Sequence, residues 1–370
     1  MYLTSGTLVP YLIDRSILSA AELLDDDITI LEAGRRNRNF KVARRDGSGI
    51  FVKQVPLMAA ETTQSVKREA ALYALAENND AADSLKSLMP KLRHYDKHRH
   101  LLAVELVPNS RSLTFYQMQV SGVAGAMEDI AAQLGRLLSS CHKQSPDILA
   151  EPSRQGVFPA QPPWILNFSH YGETMMPNMS GGAKAVLAAL RQQPGLKEQL
   201  SLLQSEWSRT CLIHGDMKWE NLLISQDQNG AAAKLQLIDW ELADLGDAAW
   251  DVACVLASFM QPVIVGRFDM QGRPTGPATP DEVSRAQACC RTFWQTYMKE
   301  LALTMEQEAQ AKHRCVRFAA ARLVLTAYEI AQSTAEISPS ALLAIQTASS
   351  IFNDPGSAAT SLFGLEETGA

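Results

Sequence analysis

An apolar stretch, Cys211-Leu212-Ile213, runs into His214-Gly215-Asp216, and Asn221 stands five residues after that aspartate. A second apolar run, LQLI, ends at another acidic residue, Asp239. The order strand, acidic loop residue, amide, strand, acidic residue fits phosphoryl transfer, which asks little covalent chemistry of a protein. It needs a carboxylate to orient an acceptor hydroxyl and oxygen ligands to hold magnesium on the phosphates. Asp216 suits the first task, as catalytic base. Asn221 and Asp239 suit the second, because magnesium favours hard oxygen donors supplied by few protein groups.

The first hundred residues give an independent check. Residues 28–34 (ITILEAG), 39–45 (NFKVARR) and 50–55 (IFVKQV) have strand composition, and Asp46-Gly47 marks a hairpin turn between the last two. From Glu61 the pattern changes to helix formers with apolar residues at helical spacing. Two further strands, KLRHYD and HLLAVELV, are joined by a turn at His98 to His100. Lys53 on the third strand and Glu69 on the following helix then occupy the places where a kinase sets a lysine and a glutamate to position nucleotide phosphates. No G-x-x-x-x-G-K-[ST] string occurs, which excludes a P-loop enzyme. The turn before the second strand has a single glycine, Gly34, followed by Arg35, Arg36, Asn37 and Arg38. Gly34, Arg35 and Asn37 are candidate nucleotide contacts, with a solvated basic turn as the alternative.

After Pro108 the apolar spacing is helical almost throughout, interrupted by ILNF and by the paired strands around Leu222 and Leu237. The expected fold class is α+β: a five-stranded antiparallel N-terminal lobe with one helix over residues 1–107, and a larger, mainly helical C-terminal lobe over 108–355. Residues 266–282 form a long Gly/Pro-rich loop, and 356–370 read as a mobile tail. At 370 residues, 46% hydrophobic and 20% charged, the chain has ordinary globular usage. Its net charge of -6 argues against nucleic-acid binding as its main business. No stretch approaches eighteen apolar residues, so no membrane partner is expected and a cytoplasmic location is. The six cysteines show no zinc-site spacing and read as reduced core residues.

H-G-D-x-x-x-x-N followed by I-D-W-E-x-A-x-x-G-D-x-A-W-D resembles the aminoglycoside phosphotransferase and choline kinase family, which shares the two-lobed protein-kinase-like fold. Three residues that merely cap turns would not reproduce that spacing. The resemblance implies ATP and Mg2+ as cofactors, and it places the backbone of Glu105 to Val107 at the hinge that hydrogen-bonds adenine. Asp247 and Asp251 read as structural, Asp247 as a helix N-cap, and His214 as a brace of the catalytic loop.

The fold does not name the acceptor. Lys218 stands two residues after Asp216, where serine/threonine protein kinases carry a lysine near the transferred phosphoryl group; an ordinary surface lysine is the alternative. GRRNRNFKV with HGDMKWEN is similar to kinase subunits of class V lanthipeptide synthetases and thioamitide pathways. That likeness implies a precursor peptide as substrate and a separate partner lyase. A small-molecule hydroxyl substrate (an aminoglycoside, choline-like alcohol or sugar) and a pseudokinase that only binds a partner are the other readings.

Overall fold

The computed structural model describes residues 2–25, 27–32, 38–55, 60–79, 82–120, 123, 125–143, 149, 156–170, 179–225, 234–266 and 276–366. The chain divides into two units. The first takes Met1–Tyr116, Gln144–Pro159 and Trp219–Asp244, and the second Gln117–Lys143, Ala160–Lys218 and Leu245–Ala370. A single division after residue 107 therefore gives way to a chain that returns to the first unit twice.

The first unit opens with helices α1 (Ser5–Asp14) and α2 (Ala20–Asp25). Thr4 and Thr7 form a capping box at the start of α1, satisfying amides that a helix end leaves without partners. Strands β1 (Thr29–Glu32), β2 (Arg38–Ala43) and β3 (Gly49–Gln54) follow. The β2–β3 turn is Asp46-Gly47-Ser48: Gly47 takes φ 82°, and Asp46 Oδ1 accepts the Ser48 N–H at 2.8 Å. Helices α3 (Ala60–Asn78) and α4 (Asp83–Leu88) precede β4 (Leu92–Asp96) and β5 (Leu101–Glu105). The five strands make one antiparallel sheet in the order β1-β2-β3-β5-β4. Leu3, Leu8, Tyr11 and Leu12 pack with Phe40, Val42, Ile50 and Val52 in a buried cluster. Each such side chain contributes roughly 1.5–3 kcal/mol by leaving water.

Strand β6 (Ser110–Ser112) and helix α5 (Leu113–Gln119) come next. The second unit then contributes α6 (Ala126–His142), α7 (Gly181–Gln192), α8 (Leu196–Ser205) and β7 (Cys211–Ile213). ILNF, expected to interrupt the helical pattern, lies in a 3-10 segment, Trp164–His170, with Ile165, Leu166 and Phe168 buried. A four-residue apolar run fits a buried strand or a buried helical turn equally well. The chain re-enters the first unit with β8 (Leu222–Ser225) and β9 (Lys234–Leu237). These pair with each other, and β6 pairs with β8.

Strand β10 (Asp244–Gly246) pairs with β7 and leads to α9 (Ala248–Ile264), α10 (Pro280–Leu301), α11 (Met305–Ala331), α12 (Pro339–Asn353) and α13 (Pro355–Ser361). Thr279 with Glu282 and Thr304 with Gln307 make capping boxes at the starts of α10 and α11. Residues 356–366 do not behave as a free tail: α13 is ordered onto the unit, and Phe363 and Leu365 are buried. Of the long loop, 267–275 lies outside the described residues. No helix among the described residues is long and apolar enough to cross a membrane.

Candidate functional site

In the first unit, Lys53 projects from β3 and is 5% exposed. Its Nζ donates to Glu69 Oε2 of α3 at 2.9 Å, to Asp239 Oδ1 at 2.6 Å and to Glu241 Oε2 at 2.7 Å. Burial works against the ammonium, but the three carboxylates outweigh it and hold Lys53 charged. Glu69 is wholly enclosed, and burial pushes its carboxyl up to about 7 even against the attraction of Lys53. Asp239 follows β9 with φ 64°, a left-handed conformation uncommon for any residue but glycine. The β8–β9 register pairs Leu222 with Leu237, and the Ile238 N–H donates to the Asn221 carbonyl at 3.0 Å. Two antiparallel strands thus bring Asn221 beside Ile238, the residue before Asp239.

The donor set fits a hard divalent cation. Oxygen atoms of Glu69, Asp239 and Glu241 lie within 4.8 Å of one another, and three carboxylates face one ammonium. Glu241 was missed by the sequence reading, although it stands two residues past Asp239 in the same IDWE string. Arg68, one residue before Glu69, donates to the carbonyls of Val157 at 3.2 Å and Glu241 at 3.4 Å.

The remaining expected nucleotide contacts divide into two groups. Gly34, Arg35 and Asn37 lie outside the described residues. Arg38 is described: it donates to the Leu3 carbonyl at 2.8 Å and lies over the Tyr2 ring, which ties it to the N-terminal segment. At the expected hinge, the Glu105 N–H is given to Lys91 at 2.8 Å and the Leu106 N–H to Gly49 at 2.9 Å. The Val107 carbonyl accepts the Ser110 hydroxyl at 2.8 Å, and a carbonyl retains a second lone pair.

In the second unit, β7 delivers the chain into His214-Gly215-Asp216, where Gly215 takes φ 82°. Asp251 of α9 accepts the backbone N–H groups of His214 and Gly215, and Trp250 Nε1 donates to the Gly215 carbonyl at 2.9 Å. His214 Nδ1 accepts the Asp216 N–H at 3.3 Å, a bracing role. Asp247 caps α9 by accepting the Ala249 N–H at 3.0 Å. Lys218 Nζ lies 2.6 Å from Asp216 Oδ2. Burial opposes ionisation of Asp216, but Lys218, then Arg322 and His214, hold its carboxyl below the usual range. The result is a carboxylate that is charged at neutral pH, with oxygens able to accept a hydrogen bond.

Residues 27–283 match the family model described as "Phosphotransferase enzyme family". No curated protein sequence matches the chain. Among solved structures, the GDP complex of an aminoglycoside 2'-phosphotransferase-IIIa is similar at a TM-score of 0.54 and 13% identity, covering 94% of this chain and 99% of that one. A choline kinase from Streptococcus pneumoniae is similar at a TM-score of 0.49 and 15% identity, covering 92% and 99%.

Proposed function

The chain belongs to the phosphotransferase enzyme family, and we propose that it transfers the terminal phosphoryl group of ATP to a Ser or Thr hydroxyl of a ribosomally made precursor peptide. The bond from the hydroxyl oxygen to the γ-phosphorus forms as the bond to the β-bridging oxygen breaks. Asp216 takes the hydroxyl proton and ADP leaves. Lys53, set by Glu69, holds phosphate charge. Asn221 and Asp239 would hold Mg2+, with Glu241 as a further carboxylate, and the bound ion supplies neutralisation of the phosphate oxygens. A separate lyase then removes the α-proton and the phosphate from the phosphorylated residue, leaving a dehydroamino acid.

The observation that carries the reading is the Asp216–Lys218 ion pair at 2.6 Å. It puts an ammonium beside the carboxylate that receives the acceptor, where a phosphoryl group in transit needs a positive partner. The likeness of GRRNRNFKV and HGDMKWEN to lanthipeptide kinase subunits favours a peptide as that acceptor. The test is incubation of the purified chain with its genomically neighbouring Ser/Thr-rich peptide, ATP and magnesium, followed by mass spectrometry. The peptide is expected to gain one phosphoryl group, and addition of the lyase should convert that gain into the loss of one water. An unmodified peptide alongside efficient phosphorylation of kanamycin or choline would overturn the peptide acceptor. No transfer to any of them, or to water, would leave a binding module only.

A further inference from the structure

In the first unit, the Lys53 ammonium stands where the oxygens suited to a divalent cation converge. An ammonium has three N–H donors, and each goes to a different carboxylate: Glu69 Oε2 at 2.9 Å, Asp239 Oδ1 at 2.6 Å and Glu241 Oε2 at 2.7 Å. One ligand atom from each of these three residues lies within 4.8 Å of the others. Lys53 and Glu69 are buried, and Asp239 and Glu241 are half-buried. The group is a cage of three carboxylates closed around one cation.

Arg68 fixes one wall of the cage and cannot replace the cation inside it. It precedes Glu69 on α3 and donates to the backbone carbonyls of Glu241 at 3.4 Å and Val157 at 3.2 Å, so its guanidinium is spent on carbonyls. Magnesium binds carboxylate oxygens at about 2.1 Å, which is in the space that Nζ takes. Two cations so close repel strongly where water does not screen them. A bare ion would therefore have to expel a buried ammonium and leave three N–H donors without acceptors, because Nζ makes no other hydrogen bond among the described residues. A nucleotide removes that obstacle, since its phosphate oxygens are new charged acceptors for Lys53.

We infer that Lys53 is the resident cation of this site in the nucleotide-free chain and keeps a bare divalent ion out, so that metal enters only together with a nucleotide whose phosphates draw the ammonium off Asp239 and Glu241. The inference rests on the phosphotransferase reading and states how its metal site is regulated. With nucleotide bound, Lys53 keeps Glu69 and exchanges the other two carboxylates for phosphate oxygens. Asp239 and Glu241 are thereby released to the ion.

The test is metal binding to the purified full chain without nucleotide. Mn2+, which shares magnesium's preference for carboxylate oxygens, is the probe, and its free form is counted by electron paramagnetic resonance. Lys53→Met should bind Mn2+ at least about tenfold more tightly than wild type, and adding Asp239→Ala to that variant should cancel the gain. Misfolding does not produce such a gain. In the wild type, Mg2+ alone should leave Tm unmoved, while Mg-ADP should raise it. Equal Mn2+ affinity in wild type and Lys53→Met, or a gain that survives Asp239→Ala, overturns the inference. If Lys53→Met does not fold, the wild-type measurement decides, and a Tm raised as much by Mg2+ alone as by Mg-ADP overturns it. Normal Mg-ATP binding beside any of these failures leaves the phosphotransferase reading standing, whereas a wild type with no affinity for Mg-ATP removes that reading and the inference together.

Discussion

Asp251, in the first turn of α9, accepts the backbone N–H of His214 at 2.6 Å and that of Gly215 at 2.9 Å. The carboxylate is fully buried, so the loop that ends in Asp216 is held by an acceptor fixed on a helix. Asp251→Ala leaves a buried and a half-buried donor without a charged acceptor and should lower the unfolding free energy by about 2–5 kcal/mol. Asp251→Asn keeps one oxygen and should lose less. Urea midpoints ranked in the order wild type, Asn, Ala would bear this out; coincident midpoints would not.

Asp96, at the end of β4, latches α1 to the sheet. It accepts the Tyr11 hydroxyl at 2.9 Å, the His98 and Arg99 N–H groups at 3.0 Å each, and Arg99 Nη1 at 3.2 Å. Burial opposes ionisation, yet these bonds win and hold the carboxyl at about 2. A carboxyl depressed below its unfolded value of about 3.9 stabilises the fold at higher pH and stops doing so as pH falls towards 2. Asp96→Asn should therefore be less stable than wild type by roughly 1–3 kcal/mol at pH 7, with the gap in urea midpoint narrowing from pH 4 downward. A gap independent of pH would contradict this account.

Much of the first unit was legible because its signals are local. The Asp46-Gly47 hairpin, the strands around it and the sixteen-residue step from Lys53 to Glu69 depend on turn chemistry and on periodicity. Helix α1 was not, since SGTLVPYLID has Pro10 inside it and owes its burial to partners on β2 and β3 far along the chain. Glu241 lay in plain view but shows its role only when β3 brings Lys53 Nζ within 2.7 Å. Arg322 is buried although nothing in α11's pattern separates it from a solvated arginine. The tail was misread because Ala358, Phe363 and Leu365 are too sparse to look like a core.

Gly135 lies in the middle of α6, where a glycine is normally unfavourable to a helix. A Cβ there would sit 2.8 Å from Thr296 Cβ and 2.9 Å from the Phe293 carbonyl of α10. The two helices approach too closely for a methyl group, and neither backbone can yield cheaply. Gly135→Ala should destabilise the protein by about 1–3 kcal/mol despite its better helix propensity, while Gly195→Ala, with nothing within 4 Å but φ 74°, tests strain alone. Thermal unfolding of both variants separates the two causes; a stabilised Gly135→Ala would refute the close approach.

Lys53 and Asp239 touch at 2.6 Å, yet their loss should produce different defects. Lys53→Ala removes the ammonium that three carboxylates surround and leaves the oxygen donors in place. Nucleotide binding should weaken by about 10- to 100-fold, the worth of one charge-assisted hydrogen bond, but should still tighten when magnesium is added. Asp239→Ala takes away a half-buried oxygen donor and keeps the Lys53–Glu69 pair at 2.9 Å. Its nucleotide affinity should become the same with and without magnesium. Titration calorimetry of ATP against each variant, in magnesium and in chelator, reads both outcomes. Magnesium enhancement retained in Asp239→Ala, or lost in Lys53→Ala, would reverse the roles given to the two side chains.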